Sequence, residues 1–231
     1  MKKLFTLLAL ICLFNMSAQI STGNTNNSGT YSSAIGFQTS AVGDYSTAMG
    51  YNTTSSASYC TAMGYATTAS GSTSTAMGVN TTASGDGSTS LGNQTIASAN
   101  NSSAMGASTT ASGEVSTAMG YATTANGSTS TSMGLSTMAN GEVSTAMGLG
   151  TTANGSISVA MGRNTTASDY GSLVIGQYNS SGSTTTTSST AFNTSNTAFV
   201  IGNGTLGNLS DAFKVMFNGD ASVSNNLTVM G

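Results

Sequence analysis

The chain has 231 residues, enough for one or two ordinary domains, yet only 5% are charged, and there is no His, Pro or Trp beside 29 Gly. Zero His excludes Ser-His-Asp and Cys-His catalysis and metal sites that need imidazole. Four Lys plus Arg leave no basic footprint for nucleic acid, and so little charge is also unlike a chain held open by self-repulsion.

Residues 1–18 read as a secretory signal. Lys2 and Lys3 form the positive start, residues 4–14 are apolar apart from Thr6, and Ser17-Ala18 offers small residues for cleavage before Gln19. The run is shorter than the ~20 apolar residues of a transmembrane helix, so no membrane span is expected in the mature chain. Cys12 lacks a lipoprotein context, because Ile11 stands where a small residue belongs. Cleavage leaves two cations against seven acids, a formal charge of −5, and one cysteine, Cys60, which excludes an intrachain disulfide. Residues 19–28 are read as a lead-in.

From residue 29 to 176 the chain keeps a fourteen-residue clock. Gly36, Gly50, Gly64, Gly78, Gly92, Gly106, Gly120, Gly134, Gly148, Gly162 and Gly176 follow one another without a slip. Before each stands a large apolar residue: Ile35, Met49, Met63, Met77, Leu91, Met105, Met119, Met133, Met147, Met161 or Ile175. Ala, Ser or Val lies two before the glycine, and Ser lies four before it in every repeat but one, where Cys60 replaces it. Thr lies three after it in ten repeats, and a second Gly, as in Gly43, Gly71, Gly85 and Gly141, usually lies seven after.

Fourteen is two heptads, but two glycines per unit would cost a helix roughly 2 kcal/mol, and no a/d Leu or e/g charge pattern accompanies them. The period predicts instead an all-β chain, a parallel β-roll or solenoid whose coils each carry two strands of about five residues, joined by turns at the glycines. Alternation places Ser and Ala on the inner face of such a strand, and Thr with Met on the outer face. The eleven apolar residues then form an outward ridge, a candidate self-association interface, because a soluble monomer avoids so long an exposed stripe. The competing expectation is a wider coil that holds the ridge inside a monomer. Tyr51, Tyr65 and Tyr121, each just after a repeat glycine, are candidate surface contacts.

Ser-Thr-Ala-Met-Gly, with Ser-Val-Ala-Met-Gly at residues 158–162, resembles the S-V-A-I-G repeat of the YadA-like heads of trimeric autotransporter adhesins. The spacing and the following A/T-x-A-x-G are similar too, over nearly two-thirds of the chain. The resemblance implies a left-handed roll, a homotrimer with the apolar position toward partner chains, and adhesion to extracellular matrix or cell-surface ligands. With the signal, it implies a secreted or outer-membrane, cell-surface location. Met in place of Ile departs from the family pattern, and no coiled-coil stalk or anchor barrel is read after the head.

Residues 177–205 combine a Ser/Thr-rich insertion, 180–189, with an irregular closing coil at Ala198-Phe199-Val200-Ile201-Gly202. Residues 206–231 read as a β-hairpin neck: Phe213, Val215 and Phe217 alternate with other residues before Asn218-Gly219-Asp220, and 227–229 would add a third short strand.

The remaining chemistry is sparse. Asp44, Asp86, Glu114 and Glu142 recur at one turn position as solvated acids, so neither a metal site nor a catalytic carboxylate pair is expected. The glycines form no phosphate loop, and no enzyme, cofactor or nucleic-acid partner is expected. The alternative functional class is an ice-binding or other structural solenoid, using the Thr ladders three before and three and four after each glycine.

Overall fold

A computed structural model describes residues 23–225; the signal reading at 1–18, most of the lead-in and the strand expected at 227–229 lie outside them. Among the described residues there is no helix, and two parallel stacks carry the fold. Each coil contributes a five-residue strand, such as Thr117–Tyr121, to a 14-stranded sheet. It also contributes a two-residue strand, such as Thr124–Ala125, to a 10-stranded sheet. Every pairing within the regular stack keeps the fourteen-residue register, as in Thr117↔Thr131, Met119↔Met133 and Gly120↔Gly134. With strands ~4.8 Å apart, eleven coils make a rod about 50 Å long.

The expected pair of five-residue strands is therefore corrected to one long and one short. The reason lies at the corners. Two residues after each ridge glycine the backbone is left-handed, at Gln38, Asn52, Ala66 and Asn80 among others. It is left-handed again nine residues after, at Tyr45, Tyr59, Thr73 and Val115. The bends are seven residues apart, so six residues lie between them on either side. On the second side a turn, such as that closed by Ser46 N–H on Gly43 O, takes up the last of these and leaves only two in strand pairing. Each bent residue donates its N–H to the preceding coil, Asn52 to Phe37 O at 2.9 Å and Tyr59 to Asp44 O at 2.8 Å, so the ladder continues through the corners.

The glycines do different work from that expected. Gly50 and Gly106 lie within the long strand, not in a turn. Their φ values of 123° and 122° suit glycine alone, and a Cβ there would fall into the carbonyl of the glycine in the next coil. The second series does open a turn, closed in one coil by Ser46 N–H to Gly43 O at 3.3 Å. There the left-handed residue is Tyr45, and glycine is required by close approach instead, since a Cβ on Gly113 would meet Gly127 O.

The faces fall as alternation predicts. The interior is a file of Ala, Ser and Thr: Ala104, Ala111, Ala118 and Ala125 pack in one cluster with no exposure, and Ser102 and Thr109 lie beside them. Cys60 sits fully buried in its Ser position, and its Sγ donates to Ala57 O at 2.8 Å. Ser102 makes the same bond to Ala99 O at 2.6 Å. Met stays outside, so the wider coil with a Met interior is not the one formed.

The last regular coil is closed by polar side chains. Asp169, fully buried where other coils carry Gly or Ala, accepts bonds from Thr186 N–H at 2.6 Å, Thr186 Oγ1 at 2.8 Å and Thr197 N–H at 2.8 Å. Asn179 takes the place of the buried Thr. Its Oδ1 accepts from Thr166 N–H at 2.8 Å and its Nδ2 donates to Thr166 O at 2.9 Å, so a side-chain amide stands in for the next short strand. The strand Thr197–Asn203 then rejoins the long sheet in parallel, with Leu173↔Phe199 and Gly176↔Gly202. Asp211–Met216 and Ala221–Val223 follow it as an antiparallel hairpin. Phe199 and Phe213 meet edge to face, with centroids 6.1 Å apart.

Candidate interaction surface

The long sheet turns three files outward in each coil: the strand's first residue, mostly Thr; the apolar ridge residue; and the residue after the glycine. The ridge runs in register from Ile35↔Met49 through Met105↔Met119 to Met147↔Met161. It resumes as Ile175↔Ile201, so Ile201 belongs to it as well. Sequence reasoning left Ile201 out because residues 178–196 interrupt the clock, although Val200-Ile201-Gly202 carries the signal.

Each ridge side chain lies half-buried against its neighbours along the axis, with Met77 at 39% and Met161 at 38% the most open. This is the expected burial of a side chain covered on two sides of the stack and bare on the third. Burying the remainder would contribute up to ~1.5–3 kcal/mol for a residue that is fully exposed, and proportionally less here.

Tyr51 and Tyr65 stand beside the ridge and stack at 5.2 Å with planes 5° apart, while Phe37 stacks on Tyr51 at 5.5 Å. Tyr121 lies on the same file, farther along and without an aromatic neighbour above or below it. A second file was missed. Tyr31, Tyr45 and Tyr59 stack at 5.3 and 5.0 Å on the opposite border of the long sheet. Their fourteen-residue spacing was readable, but they sit in the turn after the second-glycine position, outside the strand whose alternation assigned the outward files.

The Thr ladders separate. Thr three after the glycine, as in Thr53, Thr81 and Thr123, is fully buried, and only the following residue faces out from the short sheet. On the short sheet that leaves one outward file, interrupted by Ile96 and Met138, while the Thr three before the glycine, as in Thr47, Thr61 and Thr117, faces out from the long sheet beside the ridge. Asn126, Asn140 and Asn154 add an amide ladder on the short sheet, bonded at 2.8 Å per step.

The acids serve the turns. Asp44 Oδ1 accepts from Thr30 N–H and Asp86 Oδ1 from Ser72 N–H, both at 2.8 Å and each one coil earlier. Among the described residues no three of His, Cys, Asp and Glu come together, and no helix is long and apolar enough to cross a membrane.

The family model "YadA head domain repeat (2 copies)" matches residues 28–53, 61–81, 69–95, 83–109, 97–123, 111–137 and 153–179. No curated protein matches the chain. The matched windows all end at the same position of a coil, three residues after a ridge glycine, and together cover more than half of the sequence. Fourteen-residue coils, glycines fixed by stacking and an outward apolar ridge thus meet in one molecule, and the chain belongs to the YadA head repeat family, an adhesin family, as a β-solenoid head.

Proposed function

We propose that this chain forms a homotrimeric rod, wound left-handed as the family resemblance implies, that acts as the binding head of an exported surface protein. It is secreted or held at the outer membrane and attaches to extracellular matrix or cell-surface ligands without catalysing a reaction. The observation that carries this reading is the ridge from Ile35 to Ile175, large apolar groups on one face that the described residues leave partly uncovered. Three ridges turned toward a common axis would bury one another, and the core of Ala, Ser and Thr has little apolar burial of its own to offer. Tyr51, Tyr65 and Tyr121 border that interface as contact residues.

Sedimentation equilibrium of the mature chain tests the assembly. A trimer at micromolar concentration is expected, and a folded monomer overturns the proposal. Met105→Asp should weaken association by at least tenfold, since it places a charge in an apolar contact, and more than Tyr121→Ala does. Binding to immobilised matrix protein without thermal hysteresis supports adhesion; thermal hysteresis without such binding would favour ice.

A further inference from the structure

In a closed ring of three identical chains each contact is heterologous: one border of a chain meets the opposite border of the next, with no shift along the axis. The long sheet has two such borders. One is the residue after the ridge glycine, and the other is the left-handed residue five before it. Six residues of backbone separate them, roughly 20 Å, so no coil can bring its own two borders together.

Their chemistry nevertheless runs in step in most coils of the rod. In the first three coils both borders are aromatic: Tyr31 goes with Phe37, Tyr45 with Tyr51 and Tyr59 with Tyr65. All six rings are exposed, from 45% to 79%. Each file is stacked along the axis at the strand spacing, with centroids 5.0–5.5 Å apart. In the coils of Gly92 and Gly106 both borders become small or polar, Gly87 with Asn93 and Asn101 with Ala107. In those of Gly120 and Gly148 both are apolar again, Val115 with Tyr121 and Val143 with Leu149. The coils of Gly78 and Gly134 set a Thr against Val79 and Leu135, and Ile157 goes with the charged Arg163.

We propose that the two borders recognise each other between copies of this chain, coil against coil. The tyrosines at 31, 45 and 59 of one protomer pack on Phe37, Tyr51 and Tyr65 of the next. This inference rests on the trimer reading above and adds what that reading lacks, a source of axial register. The ridge cannot supply one, because a slide of one coil replaces Met by Met almost throughout. The borders can: the same slide sets Tyr59 against Val79, and a slide of two coils sets Tyr45 against Val79 and Tyr59 against Asn93. A ring that slides also fails to close and grows as an open filament, so matched borders favour the finite rod. Aromatic files exposed on the separate chain become buried pairs in the assembly.

Charge exchange tests the register. Tyr45→Lys and Tyr51→Glu would be measured singly, together, and in a mismatched pair of Tyr45→Lys with Leu149→Glu, seven coils away. Each single change should weaken trimer association, by sedimentation equilibrium, on the order of tenfold. The matched double should recover most of that loss, because Lys of one protomer meets Glu of the next, and the mismatched double should not. A trimeric parent in which the matched double is no better than the mismatched one overturns the border pairing and leaves the trimer standing. A monomeric parent overturns both.

A second arm tolerates variants that assemble poorly. In a Cys60→Ser background, chains carrying Tyr45→Cys and differently tagged chains carrying Tyr51→Cys are refolded together and treated with a short bis-maleimide. Links between unlike chains are expected. Links only between like chains would show an isologous contact and overturn the proposal.

Discussion

Between Gly36 and Gly162 the interior holds Ala, Ser and Thr, with Cys60 in one Ser position, and the bonds that matter join backbone to backbone from one coil to the next. From Asp169 to Phe217 the interior holds Val174 and Val200, and side chains do the bonding: Asp169 to Thr186 and Thr197, Asn179 to Thr166, and Asp211 to the N–H groups of Ser180 and Ser181. The stack can afford an interior without specific partners because the coil on either side supplies every template. The end has a coil on one side only, and it needs individual residues to satisfy what the missing neighbour would have satisfied.

That difference can be broken most severely at a stack glycine. Gly106→Ala forces a Cβ into Gly120 O at a φ of 122°, and the coils cannot separate without losing their ladder. A loss of more than about 4 kcal/mol, read from thermal or denaturant unfolding, is expected. A loss below about 1 kcal/mol would mean that the coils are far less tightly coupled than their register implies.

The closing segment should fail more locally. Asp169→Ala strands the buried N–H of Thr197 and takes the acceptor from the N–H of the exposed Thr186, and should cost about 1–3 kcal/mol. Hydrogen exchange should accelerate at those two amides and at Ser168, while the coils near Gly50 stay protected. Uniform acceleration through the rod would show that the end and the stack unfold as one unit.

The smallest effects probe the interior. Thirteen buried Ser and Thr hydroxyls have no hydrogen-bond partner within the described residues, Thr123 among them. Thr137 differs, because Ser132 replaces Ala in its coil and the two hydroxyls bond at 2.8 Å. Thr123→Val should therefore be neutral or stabilising by up to about 1 kcal/mol, and Thr137→Val should destabilise by about 1 kcal/mol. Equal effects at the two positions would remove the distinction between bonded and unbonded hydroxyls.

Much of the stack was legible because its causes are periodic. The clock located the coils, and alternation put Ala118 inside and Met119 outside. The turn at the second glycine was legible, but the left-handed residues of the corners were not. Left-handed residues are normally announced by Gly, Asn or Asp, yet here the position holds Tyr45, Val115, Val143 and Ile157 as well. The bend is imposed by the ladder, in which each such residue bonds to the coil before it, as Val143 N–H does to Ser128 O at 2.8 Å. Local propensity says nothing of that bond. The same gap hid the tyrosine file at 31, 45 and 59.

The closing segment was less legible for another reason. Residues 180–189 read as uniform Ser and Thr, and their order depends on Asp169, Asn196 and Asp211, partners scattered over more than forty residues. No period connects them. Of the interaction surface, the ridge was visible from composition and spacing, whereas its continuation at Ile201 and its second aromatic border needed the fold.

The fourteen-residue register also bears on how such a rod changes length over generations. Everything one coil contributes, both borders, the ridge residue, the stacking glycine and the two bent donors, is encoded in one uninterrupted stretch. An in-frame duplication or loss of that stretch changes the reach by ~4.8 Å and leaves the remaining coils as they were. Because both borders travel together, a copied coil arrives already matched to its counterpart in a neighbouring chain. A gain or loss of thirteen or fifteen residues would instead leave a coil of the wrong length at the junction, which a bulge or a loop must absorb, as residues 178–196 do before Gly202 pairs with Gly176. A change of whole coils thus keeps the stack regular, whereas a fraction of one disturbs it at the junction.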